Sequence, residues 1–488
     1  MGGVISFRQL FLSAYPEYPS PESLPEAEVS GLECDSRRVE KGFVFVAVRG
    51  AKLDGSAFAE EAARRGACLI ISEAPVRTNL PLVRVSDSRE AVARLASAYY
   101  GYPSKKMKIA GVTGTNGKTT TTYLLEHILQ KNGQKTGLLG TINYRYAGVE
   151  LPAVETTPGP LKLQRIFSEM AAAGCRTAVM EVSSHAMDQG RVAGIDFACA
   201  VFTNLTQDHL DHHGTMEAYF ESKAKLFRGL SSEAVAVLNA DDPWAAKLVP
   251  LTKARLVTYA VEKAGDLRAE DLRQVRDGVE FMLLVRGKRF SVPLPLIGRH
   301  NVYNAMAAIA AAEVLGVAAE RSVQALPDFQ GVPGRLEAVR CGQDFTVLID
   351  FAHTPDGLEN VLRALSEHRR GRLLVVFGCG GDRDRNKRPK MAEIASRWAD
   401  FVYVTSDNPR SEDPKAIAEE VRAGFPSDFK SQTVVLDRRK AIRQALLDAR
   451  AGDIVLLAGK GHERTQILKD QVLPFNDREE AERVLNGR

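Results

Sequence analysis

Of the chain's 488 residues, the stretch KIAGVTGTNGKTTTTYLLEHIL, Lys108 to Leu129, has the types and spacing most suited to chemistry. The apolar run Ile109 to Val112 predicts a buried strand, the glycines Gly111, Gly114 and Gly117 a loop, and the residues from Thr119 onward a helix. Glycine lets backbone N–H groups turn inward with no Cβ in the way, and a helix N-terminus carries positive partial charge. Lys118 can then reach the β- and γ-phosphates of a nucleotide, and the Thr119 hydroxyl can ligate Mg²⁺. A nucleoside triphosphate site follows. A strict Walker A motif needs glycine five residues before Gly117, where this chain has Val112, so the loop is the variant G-x-x-G-x-x-G-K-T-T. The motif alone does not say what becomes of the phosphate.

Elements that would position this loop recur from about residue 106 to 338. Strands are predicted at TAVMEVSS (177–184), CAVFTNL (199–205), AVAVLNAD (234–241) and RLVTYA (255–260), with helices between them at 162–173 and 216–227. Such alternation implies a mostly parallel sheet, whose ligands bind beyond the carboxyl ends of the strands. Polar residues cluster at those ends: Glu181 with Ser183, Ser184 and His185, then Asn204 with Asp208, His209, Asp211, His212 and His213. QDHLDHH reads equally as a Mg²⁺ or phosphate shell or as a solvated turn capping the next helix; zinc is disfavoured because no thiolate is near.

From about 339 to 488, four apolar strands each lead to a polar loop: VLID to FAHTPD, LLVVFG to CGGDRDRNKRP, FVYVT to SDNPRSEDP and IVLLAG to KGHE. This is a Rossmann-like layout. It lacks the dinucleotide fingerprint, because Arg383 stands where a third glycine is required after Gly378 and Gly380. Two of the loops carry Arg, suited to phosphate or carboxylate. Residues 1–105 read as a small α/β unit with strands at 43–50, 68–72 and 82–85, helices at 57–65 and 89–100, and a linker at 100–106. Its polar turns, Cys34 to Gly42 and Arg49 to Gly55, are either ligand loops or plain connections.

Length suggests about three domains at ~150 residues each. Hydrophobic content of 44% and charged content of 26% are those of a soluble globular protein, and a net charge of +4 without a basic block gives no sign of nucleic-acid binding. Six scattered cysteines with no C-x-x-C pair fit buried thiols in a reducing cytosol. No apolar run approaches the ~20 residues of a membrane span, and the M-G-x-x-x-S pattern of residues 1–6 reads as a chance match to a myristoylation signal. No internal repeat or low-complexity tract appears.

Taken together, TGTNGKTTT, MEVSSH, TNLTQDHLDHHG, GRHNVYNAMAA, VPGRLE, DFAHTPD, FGCGGDRDRNKRP, SDNPR and AGKGHE resemble the Mur ligases, which build the peptide stem of peptidoglycan, in order and across all three blocks. The DNPR of Asp407, Asn408, Pro409 and Arg410 resembles the branch that adds meso-diaminopimelate to UDP-N-acetylmuramoyl-L-alanyl-D-glutamate. The resemblance implies an ATP- and Mg²⁺-dependent ligase; with the composition, charge and hydropathy above, the expectation is a cytoplasmic monomer with no membrane or nucleic-acid partner. It divides the chain into 1–105 for the UDP-sugar, 106–338 for ATP and 339–488 for the amino acid.

By that resemblance, Gly114, Thr115, Asn116, Gly117, Lys118, Thr119 and Thr120 form the ATP loop, with Thr119, Glu181 and His209 beside Mg²⁺. His300 and Asn304 match adenine-side positions, and Arg335, Asp350 and His353 match nucleotide contacts from the linker and third block. Cys34 and Ser36 match the uridine loop; Thr156, Thr157, Ser183, Gln189 and Arg191 match the muramoyl-peptide contacts, although Glu155 stands where the family often has Asn. Lys223 falls at the family's carbamylated, metal-binding lysine, with Lys225 as the other register. Arg383, Asp407, Asn408, Pro409, Arg410, Gly459 and Glu463 match the diaminopimelate pocket. Diaminopimelate differs from lysine by a carboxylate, which the Arg410 guanidinium would pair.

Other readings are a lysine-adding sister ligase, a folylpolyglutamate-type synthetase, a P-loop switch or motor, and a non-catalytic sugar-nucleotide sensor. Arg410 and the first-block loop count against the first two, the third block's Arg loops against the switch, and the conjunction of Lys118, Thr119 and Glu181 against the sensor.

Overall fold

Residues 4–50, 53–275, 278–367 and 369–487 are described in the computed structural model. The start of the myristoylation-like pattern and Ala51 and Lys52 of the second polar turn lie outside the described residues.

At the N-terminus, β1 (Ile5–Ser6) pairs antiparallel with β2 (Glu28–Val29) across α1 (Phe7–Ala14). Then β3 (Gly31–Glu33), β4 (Phe43–Ala47), β5 (Leu69–Ser72) and β6 (Leu82–Arg84) form a parallel sheet in that order, with α2 (Ala59–Arg64) and α3 (Ser88–Tyr99). The Asp87 side chain accepts the Arg89 and Glu90 N–H groups to start α3, whose Ala91, Val92 and Leu95 pack with Phe7, Leu10 and Phe11 of α1.

The central region runs β7 (Lys108–Thr113), α4 (Lys118–Lys131), β8 (Thr136–Leu139), β9 (Asn143–Tyr146), β10 (Val149–Pro152), α5 (Pro160–Ala172), β11 (Thr177–Glu181), α6 (Ser184–Asp188), β12 (Phe197–Phe202), α7 (Leu210–His213), α8 (Met216–Arg228), β13 (Val235–Asn239), α9 (Ala245–Leu248) and β14 (Arg255–Ala260). After these come β15 (Leu267–Val275), β16 (Gly278–Val285), β17 (Lys288–Leu294), α10 (Arg299–Val314) and α11 (Ala319–Ala325). Eleven strands form one sheet, ordered β10-β9-β8-β11-β7-β12-β13-β14-β15-β16-β17. The run from β8 to β15 is parallel, as expected from sequence, and both ends are antiparallel. Helices cover both faces, so β7 is apolar from Ile109 to Val112: Ala110 and Val112 pack with Leu124, Leu125 and Ile128 of α4, while Ile109 joins Leu163, Ile166 and Phe167 of α5.

The C-terminal region contains β18 (Glu337–Val339), β19 (Thr346–Asp350), α12 (Pro355–Ser366), β20 (Leu373–Phe377), α13 (Lys387–Trp398), β21 (Phe401–Val404), α14 (Pro414–Arg422), β22 (Gln432–Val434), α15 (Arg438–Asp448), β23 (Ile454–Ala458), a hairpin of β24 (Thr465–Leu468) and β25 (Gln471–Pro474), and α16 (Asp477–Asn486). The sheet order is β18-β19-β23-β20-β21-β22, parallel except for β18. All four polar loops foreseen from sequence therefore leave neighbouring strands at one rim.

Three expectations need correction. The strands β15 to β17 were not foreseen, although their alternating burial and the positive φ of Arg286 and Gly287 at the turn are hairpin signals. The predicted strand 177–184 ends at Glu181, because Ser183 caps α6 by accepting the Ala186 N–H. All six cysteines are unpaired, but only Cys175, Cys199 and Cys379 are buried; Cys34 is exposed in the loop after β3.

Candidate active site

Strand β7 delivers Gly114 to Gly117, and α4 begins at Lys118. Gly114 and Gly117 have φ of +148° and +84°, and a Cβ on them would lie 1.9 Å from Thr203 Oγ1 and 2.3 Å from Asn304 Oδ1. The chain thus passes where no side chain fits. Asn204 accepts the Thr115 N–H on its carbonyl and the Asn116 N–H on Oδ1, each at 2.9 Å. The amides of Lys118, Thr119 and Thr120 belong to the first helical turn, which has no intrahelical acceptors. Lys118 Nζ donates to Gly114 O and Thr115 O at 2.9 and 2.8 Å, and burial pulls its pKa down against the pull of Glu181 and Asp208.

Behind the loop, Lys223 of α8 is 1% exposed and donates to the same Gly114 carbonyl at 2.9 Å. Burial and the neighbouring Lys118 hold its pKa well below the ordinary lysine value. Lys225 points outward and pairs with Asp188, which excludes the alternative register from this interior. Glu181 ends β11 fully buried; its two oxygens accept the Thr141 N–H and Oγ1–H, each at 2.9 Å. His209 has φ of +54° and Nε2 3.4 Å from Asp208 Oδ2; burial lowers its pKa to about 3 although Asp208 opposes this. QDHLDHH therefore divides: Asp208 and His209 line the cleft, while His212 and His213 turn toward Asp188.

The C-terminal rim closes over this loop. Asp356 at the start of α12 accepts from Asn116 Nδ2 at 2.6 Å, and Asp384 accepts from Gln207 Nε2 at 3.0 Å. Arg335 Nη2 donates to Thr119 Oγ1 at 3.3 Å with its guanidinium over the Phe351 ring, and its buried Nε has no partner among the described residues. Asp350 accepts the Leu336 and Ala352 N–H groups at 2.7 Å; burial raises its pKa. His353 Nδ1 bonds Phe351 O at 2.8 Å, leaving Nε2 3.9 Å from Asp208, and burial pulls its pKa to about 4. Asn304 bonds Thr121 and Asn301, and burial with Arg363 and Arg335 lowers the neighbouring His300 to about 4.

One cleft of about 790 Å³ joins these groups to Arg383, Asp407, Asn408, Arg410, Gly459 and Glu463. Arg410 has φ of +53°, fixed by Arg410 N donating to Ile467 O and Nη1 donating to Gly381 O at 2.7 Å. Burial and the adjacent Arg383 lower its pKa, against the opposing pull of Asp407, Glu463 and Asp382. Asn408 donates to Glu463 and accepts from Ile467 N and Lys460 Nζ. Pro409 does not line the cleft; its carbonyl would be 1.9 Å from a Cβ on Gly381, so it packs the turn.

Of the muramoyl-peptide positions, Thr156 and Ser183 line the cleft. Thr157 is fully buried, donating to Glu181 O at 2.8 Å and accepting the Ser183 N–H. Arg191 donates to Thr157 O and Gln189 Oε1 and pairs with Glu155 at 2.8 Å, so the carboxylate standing for Asn has a cation of its own. Cys34 and Ser36 lie on the N-terminal unit, outside this cleft, where Ser36 donates to Glu61 at 2.7 Å. Sequence reading left out Thr141 and Lys460. Lys460 is fully buried and bridges Asn408 and Glu463 from within AGKGHE; Thr141 carries no local signal at all.

Residues 28–100, 112–312 and 334–461 match the descriptions "Mur ligase family, catalytic domain", "Mur ligase middle domain" and "Mur ligase, glutamate ligase domain". Proteins described as UDP-N-acetylmuramoyl-L-alanyl-D-glutamate–2,6-diaminopimelate ligase from Geobacillus kaustophilus and Gloeobacter violaceus are each 47% identical, covering 94% and 96% of this chain and 96% of each relative. A solved structure of a ligase so described superposes with TM-score 0.70 at 34% identity over 99% of both chains. The MurF ligase of Thermotoga maritima in complex with ADP has TM-score 0.65 at 22% identity, covering 93% of this chain and 98% of that one, and shares the fold. The chain belongs to the Mur ligase family.

Proposed function

We propose that this chain is an ATP-dependent amide ligase that adds meso-diaminopimelate to the D-Glu carboxylate of UDP-N-acetylmuramoyl-L-alanyl-D-glutamate. One observation carries the reading: the P-loop and the adjacent cations Arg383 and Arg410 open into one cleft. A phosphoryl donor and a dicarboxylate amino acid can meet there. Residues 1–105, 106–338 and 339–488 serve the UDP-sugar, ATP and the amino acid, in a monomeric cytoplasmic enzyme.

A carboxylate is a poor acyl donor until one oxygen becomes part of a better leaving group. Its oxygen attacks the γ-phosphorus, the bond to ADP breaks, and an acyl phosphate forms. The diaminopimelate amine then attacks the acyl carbon, forming the C–N bond, expelling phosphate and giving up a proton. Both steps bring anions together, and Lys118 and Arg335, held at the loop by Gly114, Thr115 and Thr119, supply fixed positive charge there. The helix amides of Lys118 to Thr120 face the phosphates. Arg383 and Arg410 pair the distal carboxylate, with Asp407 and Glu463 beside them for the distal ammonium. Lysine would leave the two cations without that anion.

The residues fit a Mg²⁺ ion. Each Glu181 oxygen accepts one hydrogen bond and keeps a lone pair, in a buried carboxylate that no Lys or Arg pairs among the described residues. Glu181, Thr119, His209 and carbamylated Lys223 would hold it, and it would supply charge neutralisation at the phosphates. Lys223 suits carbamylation because burial and the neighbouring Lys118 lower its pKa and so favour the neutral amine; addition to CO₂ forms an N–C bond, releases a proton and leaves an oxygen donor.

The test is phosphate release from ATP with the UDP-dipeptide and Mg²⁺, in parallel with meso-diaminopimelate and L-lysine. Release with diaminopimelate alone, and a product heavier by that residue, is expected. Release with lysine would refute the Arg383–Arg410 assignment, and release indifferent to both would refute the ligase.

A further inference from the structure

Where α6 ends and the short α7 ends, three side chains converge that the ligation chemistry leaves idle. Asp188 Oδ2 lies 3.4 Å from His212 Nε2 and 3.5 Å from His213 Nδ1, and one donor atom from each residue falls within 4.8 Å of the others. An N–H···O hydrogen bond is usually ~2.9 Å. Around an ion with bonds of ~2.0–2.1 Å, as Zn²⁺ makes to imidazole nitrogen and carboxylate oxygen, the edge of a tetrahedron is about 3.3–3.4 Å. The two carboxylate–imidazole spacings are those of ligands around one such ion, and the two imidazole nitrogens lie within 4.8 Å of each other.

The outer atoms of the group are already committed in a way that turns the inner ones together. His213 Nε2 bonds Ser184 Oγ at 3.0 Å, which leaves Nδ1 for a ligand. Lys225 Nζ takes Asp188 Oδ1 at 2.7 Å, which leaves Oδ2. The His185 ring stacks on His212 with centroids 4.2 Å apart and limits its rotation. Such outside partners are what orient metal-binding histidines and carboxylates. The His213 side chain is only 3% exposed, whereas His212 and Asp188 are 38% and 27% exposed, so an ion can enter from solvent and keep a water in the fourth position.

We propose that Asp188, His212 and His213 form a site for a divalent transition ion of the Zn²⁺ class, separate from the Mg²⁺ position at Thr119 and Glu181. Two imidazoles and one carboxylate select such an ion over the harder Mg²⁺. The sequence argued against zinc for want of a thiolate; the fold supplies a nitrogen-rich set by bringing Asp188 to the end of the histidine run. An ion here staples α6, which follows Glu181 and Ser183, to the loop that carries His209.

The test is calorimetric titration of the full chain with ZnCl₂ in chelator-free buffer containing excess Mg²⁺, alongside visible absorption with Co²⁺ as the probe. The wild type should take up about one equivalent of Zn²⁺ that Mg²⁺ does not displace, give the intense d–d bands of tetrahedral Co²⁺, and melt at higher temperature with Zn²⁺. D188N and H212A, each checked for unchanged melting without metal, should bind Zn²⁺ at least about tenfold more weakly and lose the Co²⁺ bands. H212Q serves if H212A does not fold. Absence of Zn²⁺ uptake by the wild type, or equal uptake by both variants, would overturn the site.

Discussion

The two walls of the cleft are built by opposite means. On the central wall, a contiguous strand, loop and helix form the cradle, where Lys118 donates to Gly114 O and Thr115 O, and more distant residues, Lys223 on Gly114 O and Thr141 on Glu181, support it from behind. The C-terminal wall is assembled from loops distant in sequence, with Asp382 and Arg410 at φ of +53° and Asn408 clamped by Lys460, Glu463 and Ile467. A phosphate cradle needs only local backbone, because every phosphate looks alike. An amino-acid pocket must hold several separated charges, and only tertiary structure places those.

The comparison breaks most severely at Lys118. Lys118→Ala should lower kcat by about 10²–10³-fold, as loss of one fixed charge-stabilising group does, with unfolding unchanged; steady-state kinetics and a melting curve check it. On the other wall the largest effect should be on stability. Arg438 and Asp477 form a bidentate pair at 2.7 and 2.6 Å, both fully buried, and Arg438 also holds Ala458 O beneath the Gly459 loop. Asp477→Ala strands that guanidinium and should cost about 3–5 kcal/mol in urea unfolding.

Acid should loosen the seam between the walls. Burial depresses His300, His353 and His462 from 6.5 to about 4, so below pH 6.5 the unfolded chain binds protons that the folded chain refuses. Stability should therefore fall as pH drops from 6.5 toward 4, read as a falling urea midpoint, with no contribution from these rings above 6.5. The smallest effect belongs to Glu155→Asn, which removes a half-exposed partner of Arg191 and should shift stability by less than about 1 kcal/mol.

What was legible in the sequence follows the same division. The P-loop, the four strands of the C-terminal rim and the strand ends carrying Glu181 and His209 were readable, because apolar runs and glycines are local signals. Strands β15 to β17 extend the sheet as a meander outside the α/β alternation, and the alternation of burial in them went unread. Thr141 orients Glu181 from the turn between β8 and β9, and Lys460 is buried against Asn408; neither relation exists until the chain folds. His212 and His213 looked like part of the His209 cluster until α7 turned them toward Asp188.

In the proposed reaction, Arg410 is the group that would recognise the second carboxylate. The direct measurement is the pair of KM values, for meso-diaminopimelate and for ATP, in Arg410→Ala. A rise of about 10²-fold or more in the diaminopimelate KM, with the ATP KM within about twofold of wild type, is the result this structure predicts. An unchanged diaminopimelate KM, or an equal loss for both substrates, would contradict it.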